Sequence, residues 1–343
     1  GRSRPQDSMT VLVQSLGRGN YETRPLRLDE AVKEIPSDAS VVVIARPLSP
    51  LPDNAIKALR TYLQGSGGKH GKVIALLNGV SPSGAPVSDP RLDELLGEYN
   101  IALGHDRIVA VNSRLLQQSR LPPTVFAATA DPASDNAIAQ AFSQVQAQFI
   151  FSNAQTVEVK ATHPEIHAAG LLQTTPVSEG GPYTFSLTDP HLDARSEAIK
   201  QLDAIQARKL DPSQSKPLSV AAAVSTSGAS APVPPGHPPI PGGEQPVMAV
   251  FGDGSWVSNE MLSENNPLLA NEHYSLFKST VDWLREKPTI GQQVSTKPGI
   301  EREEFSLEKI SEPASWAVEI TPGAVMLCGV LALGLGVALV RRR

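Results

Sequence analysis

Short apolar runs separated by amphipathic stretches set the rhythm of the first hundred residues. Thr10 to Gln14 (TVLVQ) and Ser40 to Ala45 (SVVVIA) are β-branched runs of the kind a buried parallel strand requires, and Asp29 to Glu34 between them suits a short helix. Together they predict a β-α-β unit. Leu51-Pro52-Asp53 opens a second helix, with proline in its first turn; Ile56, Leu59 and Leu63 recur on one face until Gly65 and Gly67-Gly68 end it. Lys72 to Asn78 (KVIALLN) reads as the next strand, and Asp89 to Tyr99 has the cap and leucine spacing of another helix. This alternation predicts an α/β fold with a mainly parallel sheet flanked by helices.

Farther along, Ala137 to Gln148 and Arg195 to Lys209 have helical character, while Phe149 to Phe151 and Thr156 to Lys160 look extended. Pro217 to Ser225 and Pro246 to Phe251 resemble two more strands. Between them the Pro/Gly-rich insertion at 226–245 is too rich in Pro, Gly and Ser to pack and is expected to be an exposed, partly extended excursion that interrupts a domain rather than dividing two. Ser258 to Leu262 and His273 to Arg285 are read as helical, the latter with an apolar face of Leu276, Phe277, Val281 and Leu284.

From Ile320 to Val340 the chain carries no charge, and this length matches the roughly 20 residues that cross a hydrocarbon core of about 30 Å. Trp316 stands at the interface position, and Arg341, Arg342 and Arg343 mark a cytoplasmic end by the positive-inside rule. The expected order is therefore a disordered remnant at 1–9, an extracytoplasmic α/β domain at 10–287, a polar stalk at 288–318, a C-terminal transmembrane helix at 320–340 and a basic end at 341–343. Export of the domain calls for a signal or first anchor, and residues 1–9 contain no apolar stretch, so such a segment is expected to be missing ahead of Gly1.

Composition narrows the chemistry. The net charge is −5, and Lys and Arg are scattered rather than gathered with aromatics into a stripe, which argues against nucleic acid as a partner. Cys328, the single cysteine, excludes an intramolecular disulfide and any site built on several thiolates. Gly65 to Lys72 fails as a phosphate loop, because Val73 stands where Ser or Thr should hold Mg²⁺ and the glycines precede a strand. Gly79-Val80-Ser81-Pro82-Ser83 approaches a nucleophile elbow, but Ser83 replaces its last glycine and Pro82 restricts Ser81. His163, Glu165 and His167 form a weak ligand set interrupted by proline. No catalytic residue, metal site or cofactor is assigned. In a parallel sheet, ligands gather beyond strand C-termini, which singles out Arg46, Asn78 and Asp253 as candidate ligand-binding residues. Turn and cap roles suit the same residues.

The segment VMAVFGDGSWVSN and the following ENNPLLANEHYSLFKSTVDWL resemble the GldG-like auxiliary subunits of ABC transport systems linked to gliding motility. The matching features are Gly252-Asp253, Ser258-Asn259, Asn265-Asn266 and Asp282-Trp283-Leu284, with Arg46-Pro47 and Tyr62-Leu63 earlier in the chain. The likeness covers most of residues 10–343; the absent N-terminal anchor and the proline-rich insertion depart from it. It implies a glutamine-amidotransferase-like or flavodoxin-like sheet outside the bacterial cytoplasmic membrane, with membrane lipid around the anchor and ABC permease and ATPase subunits as partners. The function it implies is non-catalytic, mediating protein interaction or substrate handling. An envelope hydrolase or a small anionic-ligand-binding domain is the alternative.

Overall fold

A computed structural model describes residues 8–28, 34–65, 70–81, 85–111, 122–189, 191–227, 244–263 and 267–286. Its centre is a seven-stranded sheet. The strands are β1 (Val42–Ala45), β2 (Val73–Leu76), β5 (Val125–Ala130), β6 (Gln148–Ser152), β8 (Ile166–Thr174), β10 (Ser219–Ser227) and β11 (Glu244–Phe251), arranged β1-β2-β11-β10-β8-β5-β6. Two short antiparallel pairs lie outside it: β3 (Ile101–Leu103) with β7 (Val157–Val159), and β4 (Arg107–Val111) with β9 (Tyr183–Leu187).

The mainly parallel sheet is corrected by this topology. Only β1, β2 and β11 run parallel; β10, β8, β5 and β6 continue the sheet in antiparallel pairs. Parallel neighbours need a crossover, whereas β10 returns to β11 from the end at which it leaves, so the two pair antiparallel. The amidotransferase-like or flavodoxin-like description therefore gives way to a mixed sheet.

Alternation of side chains across the sheet divides the core. On one face Val73, Ala75, Val224 and Val250 meet α2 (Asp53–Gln64) and α3 (Pro90–Gly97) through Ile56, Leu59, Leu63, Leu92, Leu95 and Leu96. On the other, Ile74, Leu76, Phe149 and Phe251 pack with α1 (Thr10–Arg18), α4 (Ala137–Gln144) and α6 (Pro267–Leu284). A further helix, α5 (Ala194–Gln206), covers Val109, Val111 and Leu187 with its small residues Ala194 and Ala198.

The strand expected at Thr10 to Gln14 is instead the start of α1. Leu12 and Leu16, four apart, are its buried residues, and Val13 is 46% exposed. The apolar run is thus read with a helical period once Leu16 is included. Helix α1 lacks a side-chain cap from Met9; Asn259 supplies one across the fold, its Oδ1 accepting from the Val11 amide at 2.9 Å. The helix expected at Ser258 to Leu262 is a 3₁₀ turn at Ser255–Val257 followed by turns. Most of Asp29 to Glu34, most of the insertion, Asn265-Asn266, the stalk and the anchor at 320–340 lie outside the described residues, among which no helix is long and apolar enough to cross a membrane.

Candidate functional site

The three parallel strands end side by side, and the chain beyond each end supplies one of the candidate residues. Arg46 follows β1 directly, with a left-handed φ of 50° and its amide donating to the Leu76 carbonyl at 2.9 Å. Its side-chain stem lies against Gly254, where an added Cβ would come within 2.3 Å of Arg46 Cγ. Asn78, just beyond β2, is buried and its Oδ1 accepts from the Gly254 amide at 2.8 Å. Asp253, just beyond β11, is fully buried. The structure thus brings all three residues to one sheet edge, joined through Gly254.

Asp253 is heavily engaged by the protein itself. Its Oδ2 accepts from the Ser152 amide at 2.8 Å and the Ser255 hydroxyl at 2.8 Å, and its Oδ1 accepts from the Ser255 amide at 2.6 Å. Burial pushes its carboxyl above the usual carboxylate range; the serine donors and the charge of Arg46 pull the other way.

The space beyond the C-terminal ends of β2 and β11 is occupied by the chain itself, with Gln155 against Gly252 and Gly79. The linker from β6 to β7 runs across it: the Gln155 amide donates to the Gly252 carbonyl at 2.9 Å, and Gln155 is 1% exposed. A Cβ on Gly252 would sit 2.0 Å from the Gln155 carbonyl oxygen, so glycine is what admits the linker. Asp106, also buried, holds the far end of this linker by accepting from the Thr156 amide at 2.7 Å, the Thr156 hydroxyl at 2.9 Å and the Ser186 hydroxyl at 2.6 Å.

Other polar residues from the motifs act as fasteners. The Asn259 amide donates to the Ser8 carbonyl at 2.7 Å, and its side-chain nitrogen donates to Thr10 Oγ1 at 2.8 Å. Asp282 accepts from the Tyr21 hydroxyl and from Lys278 at 3.2 Å, tying the chain after α1 to α6. Burial, then that bond to Asp282, pushes the Tyr21 phenol up. Ser81 has its hydroxyl accepting from the Ala85 amide at 3.1 Å, a turn contact. His167 pairs with Asp135 at 3.0 Å, and His163 lies 3.8 Å from Glu165. Among the described residues, no group of three or more His, Cys, Asp or Glu side chains is placed to hold a metal.

Sequence reasoning missed His273, Gln155 and Asp106. Strand β6 ends the sheet, and its outward amides at Ile150 and Ser152 are taken by His273 Nε2 at 3.0 Å and by Asp253. These two side chains blunt an edge that would otherwise present free donors. Since Ile150 donates, Nε2 carries no proton, and Nδ1–H donates to the Trp256 carbonyl at 2.7 Å. Burial pushes the imidazole down to about 4. A histidine within an apolar helix face was the available signal, but its partners lie 123 and 17 residues away.

Fold and site together define a mixed α/β domain whose strand-end crevice is occupied by its own chain. The family profile described as an ABC-type uncharacterized transport system matches residues 2–284, and the chain belongs to that family, an auxiliary component of ABC transport. Comparison with curated proteins gives no match. Among solved structures, the "mmIFT52 N-terminal domain" is similar at 18% identity and a TM-score of 0.49, covering 82% of this chain and 92% of that one. At that level the similarity carries no argument about function.

Proposed function

We propose that this chain is a non-catalytic, membrane-anchored auxiliary subunit of the GldG-like type, working beside the permease and ATPase of a bacterial ABC transport system. Family membership supports the transport role. The single observation that carries the non-catalytic reading is the filled crevice: Asn78, Asp253 and Asp106 spend their oxygens on internal donors, and Gln155 lies where a substrate would enter a parallel sheet. The uncharged run from Ile320 to Val340, followed by three arginines, supports an anchor with the main domain on the periplasmic side. From there the domain contacts partner subunits or handles substrate.

Mild-detergent extraction of the full-length native protein tests the partnership: permease and ATPase subunits should copurify, and their repeated absence contradicts it. A C-terminal phosphatase fusion tests the topology, since strong activity in intact cells would put the arginines outside. A small anion bound by the Arg46 guanidinium, in a cleft bordered by Asn78 and Asp253, is the second reading, favoured by the half-buried position of Arg46 at the sheet edge.

A further inference from the structure

We propose that His273 is a proton-operated latch on the β6 edge, closed while its ring is neutral and opened when the ring gains a proton. The geometry permits one working state. Nε2 accepts from the Ile150 amide at 3.0 Å while Nδ1–H donates to the Trp256 carbonyl at 2.7 Å, so one ring bridges α6, the end strand of the sheet and the 3₁₀ turn. An imidazolium has no acceptor. On protonation Nε2–H faces the Ile150 N–H, two donors in a site with no exposure to water.

The neighbouring cap behaves differently. A protonated carboxyl keeps acceptor capacity, so Asp253 still accepts from the Ser152 amide after gaining a proton. Two adjacent outward amides on one strand therefore differ in their response to acid. The ring is packed by Phe149 of β6 at 6.1 Å and by Trp256 of the 3₁₀ turn at 5.9 Å, neither of them titratable. The influences on its titration are burial, which lowers it to about 4, and the Trp256 carbonyl. On its own helix the titratable neighbours are Glu272 and Tyr274, both pushed up by burial and both uncharged or becoming so in acid. Arg46 acts on Asp253.

Amide exchange read by NMR on the intact chain, between pH 7 and 3.5, tests the latch. Protection at Ile150, corrected for the intrinsic rate, should fall roughly tenfold for each pH unit between about 6.5 and the ring's midpoint near 4 and level off below it, while Ser152 falls less and Ile150 exchanges ahead of the β2 and β11 amides throughout. His273→Gln presents a carbonyl and an amide that do not titrate, and should abolish the fall. If that variant does not fold, the wild-type ring resonances serve: the His273 titration and the Ile150 amide shift should share one midpoint. Constant protection at Ile150 between pH 6.5 and 4, different midpoints, an equal fall at Ser152, or exchange at Ile150 no faster than in the central strands overturns the proposal.

Discussion

Replacing Asp253 probes the centre of the strand-end network. Asp253→Ala removes the acceptor for two backbone amides, Ser152 and Ser255, and for the Ser255 hydroxyl. The hydroxyl can turn toward the Ser152 carbonyl, 3.5 Å away. The two amides have no such freedom, and a buried donor left without a partner costs about 1–3 kcal/mol, which sums to about 2–6 kcal/mol for the pair. Asp253→Asn keeps one carbonyl oxygen for one amide and turns an NH2 toward the other, so a loss of about 1–3 kcal/mol is expected. Urea unfolding at pH 7 of the wild type and both variants, with equal m-values, gives the order directly. The expected ranking is wild type, Asn, Ala. An Ala variant within about 0.5 kcal/mol of wild type would refute the argument, because it would mean the amides find other partners at no cost.

The other expectations concern the residues around that network and the buried histidine. Gly252→Ala puts a Cβ 2.0 Å from the Gln155 carbonyl oxygen, and because that oxygen is backbone and the Cβ has no rotamer to escape into, the linker must move, with a loss of about 1–3 kcal/mol in the same unfolding assay. Asn259→Ala strips the distant cap from α1 and should cost about 1–2 kcal/mol, with faster amide exchange confined first to residues 10–18. Arg46 either holds Asp253 electrostatically as an internal clamp or binds an anion, and Arg46→Ala separates the two: a lower melting temperature with no protection of wild type by anions supports the clamp, and lost anion binding at unchanged stability supports the site. His273 titrates near 4 in the fold against about 6.5 in the unfolded chain, so the unfolded state binds the extra proton between those values. Its contribution is present above pH 6.5 and lost as pH falls toward 4, by about 3 kcal/mol, and His273→Gln should flatten that part of the stability profile.

The strand-end residues were legible because β1, β2 and β11 are the strands that keep the parallel rule, and each carries its apolar run to a visible stop. Helices α2 and α3 were legible for a similar reason, since Pro52 and Asp89 mark their starts and leucines recur through both. The antiparallel half was not. Strand β8, IHAAGLLQT, is rich in small residues and carries neither clear alternation nor a turn signal, so its pairing with β10 and β5 rests on contacts made far along the chain. A five-residue window at Thr10 to Gln14 fits strand and helix alike; burial of Leu12 with Leu16 and a cap from Asn259, 248 residues beyond Val11, favour the helix. The filled crevice was equally hidden, because nothing local to Gln155 or Asp106 announces Gly252 or Thr156 as a neighbour. What distinguishes Gly252 is space, and space is a property of the folded chain.

The transport assignment is tested most directly by cross-linking in intact cells that express the full-length protein, followed by mass spectrometry of the cross-linked peptides. Exposed lysines such as Lys160 and Lys200 should join peptides of an ABC permease or ATPase, and those links should vanish when the partner subunits are deleted. Links that lead only to proteins outside any transport system, unchanged by that deletion, would contradict the account.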